Sequence, residues 1–152
     1  MLDIGAGTGN VASALPKTAE YIWLDNDPGK LRGFSSKGIG GKTLLCDATE
    51  IPLPDKSVDY ATCVDVAHHL SDEEFAAVLQ ELARVVRTRL VLLDAVWWPA
   101  SRVSRILWSL DRGAYPRTTD ALFAAVGRRF EANAEEQFAV FHRYLLIAAQ
   151  PR

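Results

Sequence analysis

The sequence predicts an α/β protein, doubly wound around a mostly parallel sheet, and three observations point to it. Strand-like apolar runs alternate with helical periodicities over residues 1–95, a glycine turn follows the first run at once, and an aspartate stands at or beside the carboxyl end of each run. Leu2 to Ile4 is a buried strand stub, and Gly5-Ala6-Gly7-Thr8-Gly9 leads into a short helix that stops before Pro16. Tyr21 to Leu24 forms the second strand, closed by Asp25-Asn26-Asp27, after which Pro28 suits the first turn of a helix to about Ser36. Thr43 to Cys46 is a third strand ending on Asp47. Prolines make Ile51 to Asp55 a loop, and Val58 to Val64 is the fourth strand, followed by Asp65.

Ser71-Asp72-Glu73-Glu74 has the spacing of a capping box. Phe75, Val78, Leu79, Leu82, Val85 and Val86 then fall three and four apart, which predicts one apolar stripe on a helix running to about Arg87. Leu90 to Leu93 is a fifth strand ending on Asp94. Val103, Ile106, Leu107 and Leu110 repeat helical spacing, with Arg102 and Arg105 on the opposite, solvated face; Thr119 to Val126 forms another helix closed by Gly127. Glu135 to Ala149 reads as an antiparallel hairpin at a sheet edge, turning near Val140 to His142.

At 152 residues, with 49% apolar and 24% charged, the chain makes one folded domain. The 17 Lys and Arg against 19 Asp and Glu leave a net charge of −2, so general attraction to nucleic acid or anionic membranes is not expected. No run reaches the length of a membrane span, because Asp94 interrupts Leu90 to Trp98, and no leader precedes Leu2, so a cytoplasmic location is expected. Cys46 and Cys63 lie in strand-like runs and read as core side chains; no metal site is expected.

Ligands of open parallel sheets bind beyond the carboxyl ends of the strands. Glycines there let backbone approach a ligand closely. The spacing departs from G-x-G-x-x-G, since the third glycine comes one residue early and Asn10 takes its expected place; no Walker string occurs. Asp3 would not attract a diphosphate. Asp25, about 20 residues past the first glycine, stands where a carboxylate accepts ribose hydroxyls, and Asp47-Ala48 can meet an adenine edge. An acid-rich crevice of this kind suits a nucleoside bearing a cationic centre.

These motifs together resemble the class I S-adenosylmethionine-dependent methyltransferases, most closely the type 11 subgroup. The resemblance rests on Leu2 to Gly9, Asp25-Asn26, Cys46 to Asp55, Ser57-Val58-Asp59, Ala67-His68-His69-Leu70 and Leu82 to Val86. It implies a Rossmann-like, seven-stranded sheet with an antiparallel last strand. It also implies cofactor contacts from Asp3, Gly5, Ala6, Gly7, Gly9, Asp25, Asn26, Asp47, Ala48 and Val64. Members usually carry an N-terminal helical lid that would precede Leu2, so the lid is either missing or supplied by another chain, as in a homo-oligomer. They also usually carry a Lys-Pro-Gly-Gly turn where this chain has Arg87-Thr88-Arg89.

The implied activity is methyl transfer from S-adenosylmethionine to a small-molecule acceptor, with S-adenosylhomocysteine as product. His69, or His68, is placed to act as a base, or the pair simply packs before Ser71. Trp97 and Trp98, with Tyr115, either line an acceptor pocket or serve as core or surface aromatics. Arg102, Arg105, Arg112 and Arg117 suit an anionic group on the acceptor, or a solvated face. A catalytically silent domain binding S-adenosylmethionine or S-adenosylhomocysteine is the second reading; a nicotinamide oxidoreductase is disfavoured by the glycine spacing.

Overall fold

The computed structural model describes residues 1–16, 18–110 and 115–152, so Asp111 and Arg112 lie outside the described residues. Its strands are β1 (Leu2–Ile4), β2 (Ile22–Asp25), β3 (Lys42–Leu45), β4 (Val58–Val64), β5 (Val86–Val96), β6 (Phe130–Ala139) and β7 (Arg143–Pro151). They form a seven-stranded sheet in the order β3-β2-β1-β4-β5-β7-β6. β1 pairs in parallel with both β2 and β4, with Leu2 opposite Ile22 and Ala61. Strand order reverses there, and the switch opens a crevice at the carboxyl ends. β7 runs antiparallel to β5 and β6, with Val96 opposite Arg143, which brings the β6–β7 turn to the same rim of the sheet.

Local chemistry starts the helices. Asp27 accepts from the Gly29 N–H at 2.6 Å and Pro28 occupies the first turn of α1 (Pro28–Ser36). The capping box closes as expected on α2 (Asp72–Val85), whose Phe75, Val78, Leu79, Leu82 and Val85 are buried in the main core. The helix expected after Gly9 is only a 3-10 turn, Ala12–Ala14, because the residues before Pro16 are too few to complete a helix.

α2 passes into β5 without a loop: Val86 adopts extended geometry and Arg87 to Arg89 lie in the strand, which therefore starts earlier than Leu90. Lys56 replaces the missing turn. Its N–H donates to Arg84 O at 2.9 Å, and its Nζ donates to Ala83 O at 2.9 Å and Val86 O at 3.1 Å, satisfying carbonyls at the end of α2. Arg87 reaches Asp59 at 2.6 Å.

Two other departures concern faces. On α3 (Arg102–Leu110) the buried residues are Ser104 and Trp108, while Val103, Ile106 and Leu110 point outward with Arg102 and Arg105. The expected inward stripe is thus reversed, because Trp108 carries more apolar area than any member of that stripe and takes the inner position. Arg117, expected on a solvated face or against an acceptor, is buried and donates to Ala67 O at 2.5 Å, Leu70 O at 2.8 Å and Asp72 Oδ1 at 2.7 Å. It fastens the segment before α2 to α4 (Thr119–Gly127), with its guanidinium 4.9 Å from the Phe75 ring centre. Cys63 is buried, whereas Cys46 is half-buried.

Beyond Phe130, β6 is nearly all exposed and carries Glu131, Glu135 and Glu136. Arg117→Met should lower stability by about 2–3 kcal/mol, because two carbonyls and a carboxylate lose a charged donor. Urea unfolding measures it, and a loss under 0.5 kcal/mol would deny Arg117 this role.

Candidate functional site

The glycine turn is held on β2 by three bonds. Gly7 N–H donates to Asp25 Oδ2 at 2.9 Å, Ala6 N–H to Leu24 O at 3.0 Å, and Trp23 Nε1 to Gly7 O at 2.8 Å. Gly7 has φ +54°, a region unfavourable to side chains, and a Cβ placed on it would find no atom nearer than 3.9 Å. Gly9, at φ +80°, is different: its Cβ would lie 2.4 Å from the Phe34 ring. One glycine faces open space and the other permits packing.

Gly5, Gly7, Asp25, Asn26, Asp47, Ala48 and His69 border a single crevice of about 610 Å³, a size suited to a small molecule. Asp3, Ala6, Gly9, Val64, Trp97 and Trp98 are not among its lining residues. Asp3 is turned away: it is buried and accepts from Tyr21 Oη at 2.6 Å and Thr62 Oγ1 at 2.7 Å. Burial pushes its carboxyl above the ordinary range. It braces β1 against Tyr21, just before β2, and against β4. Sequence position alone could not tell this, because a three-residue strand puts neighbouring side chains on opposite faces.

The crevice is strongly acidic. Asp25, Asp27, Asp47, Asp65 and Glu74 line it, against Lys30. Asp25 Oδ1 also accepts from Asp27 N–H at 3.0 Å. Asp47 Oδ1 takes the N–H and hydroxyl of Thr49 at 2.8 and 2.7 Å, and these bonds hold its carboxyl below the usual range. Glu74 is lowered likewise by Ser71. Such a surface attracts a cation and repels a diphosphate. In the sequence Glu74 reads only as a helix cap, and Lys30 carries no local signal of the crevice. Cys46 also lines the crevice, its thiol raised by burial and then by Asp47. A larger hollow of about 900 Å³ opens at the amino ends of the strands, around Met1, Tyr21 and Lys42, far from these acids.

Beyond the crevice, His68 and His69 occupy a 3-10 turn, Ala67–His69. His69 borders the crevice, and the two rings lie 4.1 Å apart. Buried His68 places Nδ1 2.5 Å from Asp94 Oδ1, while Asp94 Oδ2 accepts from Ala67 N–H at 2.6 Å. Ligand atoms of Asp65, His68 and Asp94 lie within 4.8 Å of one another, a set that could hold a cation. Asp94 was legible only as a strand-ending acid; its pairing with His68 required the β4–β5 register. Trp108 packs edge-on against His68 at 5.6 Å and His142 at 5.1 Å, and among the described residues its buried Nε1 has no hydrogen-bond partner. Trp97 lies 6.5 Å from Trp108, whereas Trp98 turns to the Arg143 guanidinium at 4.7 Å.

Residues 2–92 match the family model described as "Methyltransferase domain". The chain is 34% identical over 114 residues to the ubiquinone/menaquinone biosynthesis C-methyltransferase UbiE of Cupriavidus taiwanensis, covering 67% of this chain and 46% of the relative. The chain thus spans about half the length of the curated relatives it matches. In fold it is similar to an S-adenosylmethionine-dependent methyltransferase of Methanosarcina mazei, with TM-score 0.87 and 17% identity over 99% of this chain and 91% of that one. It is also similar to magnesium protoporphyrin IX methyltransferase of Synechocystis, solved with bound S-adenosylhomocysteine (TM-score 0.81, 19% identity, 99% and 73% covered).

The two glycines should respond differently to a methyl group. Gly7→Ala should cost about 1–2 kcal/mol, the strain of a left-handed alanine. Gly9→Ala should cost roughly 2–5 kcal/mol, since steric overlap with Phe34 is added. Denaturant unfolding of both variants compares them; equal losses would refute the distinction.

Proposed function

The chain belongs to the methyltransferase domain family, and from that premise we propose that it transfers a methyl group from S-adenosylmethionine to a small-molecule acceptor. The charge of the crevice is the observation that carries this reading: five carboxylates face a glycine turn with one lysine among them. That arrangement favours a nucleoside bearing positive charge over a dinucleotide. When bound, S-adenosylmethionine supplies a methyl group on a positively charged sulfur.

The residues present fit that molecule. Asp25 would hold the ribose: each of its oxygens accepts one backbone N–H and keeps capacity for another donor. Asp47 and Ala48 would hold the adenine edge, with Asn26 beside it. Gly7 leaves its backbone approachable. Much of the catalysis is then orientation of the acceptor within a small, shaped cavity.

Where the acceptor is a hydroxyl or an acidic carbon, a proton must leave it. The likeness to C-methyltransferases supports a carbon acceptor. His69, at the crevice border, takes that proton, and His68, fixed by Asp94, holds the neighbouring ring in place.

Calorimetry with S-adenosylhomocysteine tests the binding half. Asp25→Ala should weaken affinity by 1.5–3 kcal/mol, roughly 10- to 150-fold, through loss of charge-assisted bonds. Unchanged affinity, or tighter binding of NADH by the unaltered chain, would overturn the assignment. For turnover, His69→Gln should reduce kcat by roughly 10²- to 10⁴-fold while leaving S-adenosylhomocysteine affinity nearly constant. Full turnover in that variant would remove His69 from proton transfer, and binding without turnover in the unaltered chain would favour a silent domain.

A further inference from the structure

Five apolar side chains stand in water at one corner of the molecule. On α3, Val103, Ile106 and Leu110 are 53%, 60% and 76% exposed, and at the β6–β7 turn Val140 and Phe141 are 69% and 67% exposed. The three helical residues share one face by their spacing. His142 joins the two segments: its ring packs against Trp108, and its Nδ1 lies 3.4 Å from Ser104 Oγ. The turn therefore lies beside α3, on the side that carries Ser104 and Trp108. With Arg143 opposite Val96 at the carboxyl end of β5, the corner lies on the same rim as the crevice.

The charge at this corner differs from that of the whole chain. Arg102 and Arg105 are exposed on α3, and Arg143 flanks the turn. Residues 95–110 and 137–152 contain no Asp or Glu. The first acid along the hairpin is Glu136, opposite Leu146 and down the strand from the turn. A chain of net charge −2 thus concentrates cations beside its most exposed apolar residues.

Exposed apolar residues gathered on two neighbouring segments mark a docking surface. A second copy fits poorly, because a two-fold contact would set Arg102 and Arg105 against their own counterparts with no acid on α3 among the described residues to pair them. A bilayer containing anionic phospholipid meets both features: the apolar side chains enter the acyl boundary, and the guanidinium groups stay among the phosphates.

We propose that the outer face of α3 and the β6–β7 turn together dock the protein onto anionic phospholipid membranes. The surface turns the rim of the crevice toward the bilayer. The inference stands independently of the reaction proposed above, since it rests on a different part of the surface.

Vesicle flotation tests it, using the full chain with phosphatidylcholine vesicles with and without phosphatidylglycerol. The protein should float with the anionic vesicles, remain behind with the neutral ones, and be released by high salt. Arg102→Gln with Arg105→Gln should weaken partitioning by roughly 30-fold. Ile106→Glu with Phe141→Glu should abolish it; because both side chains are already exposed, the unfolding midpoint and S-adenosylhomocysteine binding should be unchanged. Absence of the unaltered chain from anionic vesicles would overturn the proposal. So would flotation of the double glutamate variant at the unaltered level, or a dimer in sedimentation velocity that this variant dissolves.

Discussion

The carboxylate of Asp25 is the point on which the site depends. One oxygen holds the N–H of Gly7 and the other the N–H of Asp27, so a single side chain at the end of β2 sets both the glycine turn and the start of the segment leading into α1. Trp23 fixes the other side of the turn through Gly7 O. An anion gripped by backbone donors costs little to bury partly and keeps its geometry. The shape of the crevice thus follows from bonds that tie the glycine turn and the segment before α1 to β2.

Behind this arrangement lies a separation of the acids by role. Asp3 serves the interior, with both oxygens taken by hydroxyl groups. Asp47 and Glu74 are tied to local backbone, which keeps them ionised and facing water. Asp94 is committed to His68 and Ala67. Acids set within strands, just past a strand and at a helix start therefore carry out structural, electrostatic and orienting work, and their hydrogen-bond partners decide which.

Sequence made the first half of the fold legible because its signals are local. The Ser71–Glu74 box, the stripe from Phe75 to Val85 and the Pro28 start are decided within a few residues, and the strand-ending acids follow from the alternation itself. What escaped depends on distant partners. The outward turn of Val103 and Ile106 reflects competition with Trp108 for one inner position. The extension of β5 back to Val86 depends on Lys56 completing α2 from another loop. Arg117 reads as surface until the carbonyls of Ala67 and Leu70 are brought to it. At the site, Gly5, Gly7, Asp25, Asn26, Asp47 and Ala48 converge on the crevice, but the inward burial of Asp3 and the link from His68 to Asp94 needed the three-dimensional register.

The outermost strand has a separate consequence. One side of β6 pairs with β7, while its other side lies at the sheet boundary. Peptide groups there offer a template onto which a like strand from another molecule can add. Glu131, Glu135 and Glu136 punctuate that border, so molecules meeting border to border bring like charges together. The strand thus carries its own guard against fibre-like stacking.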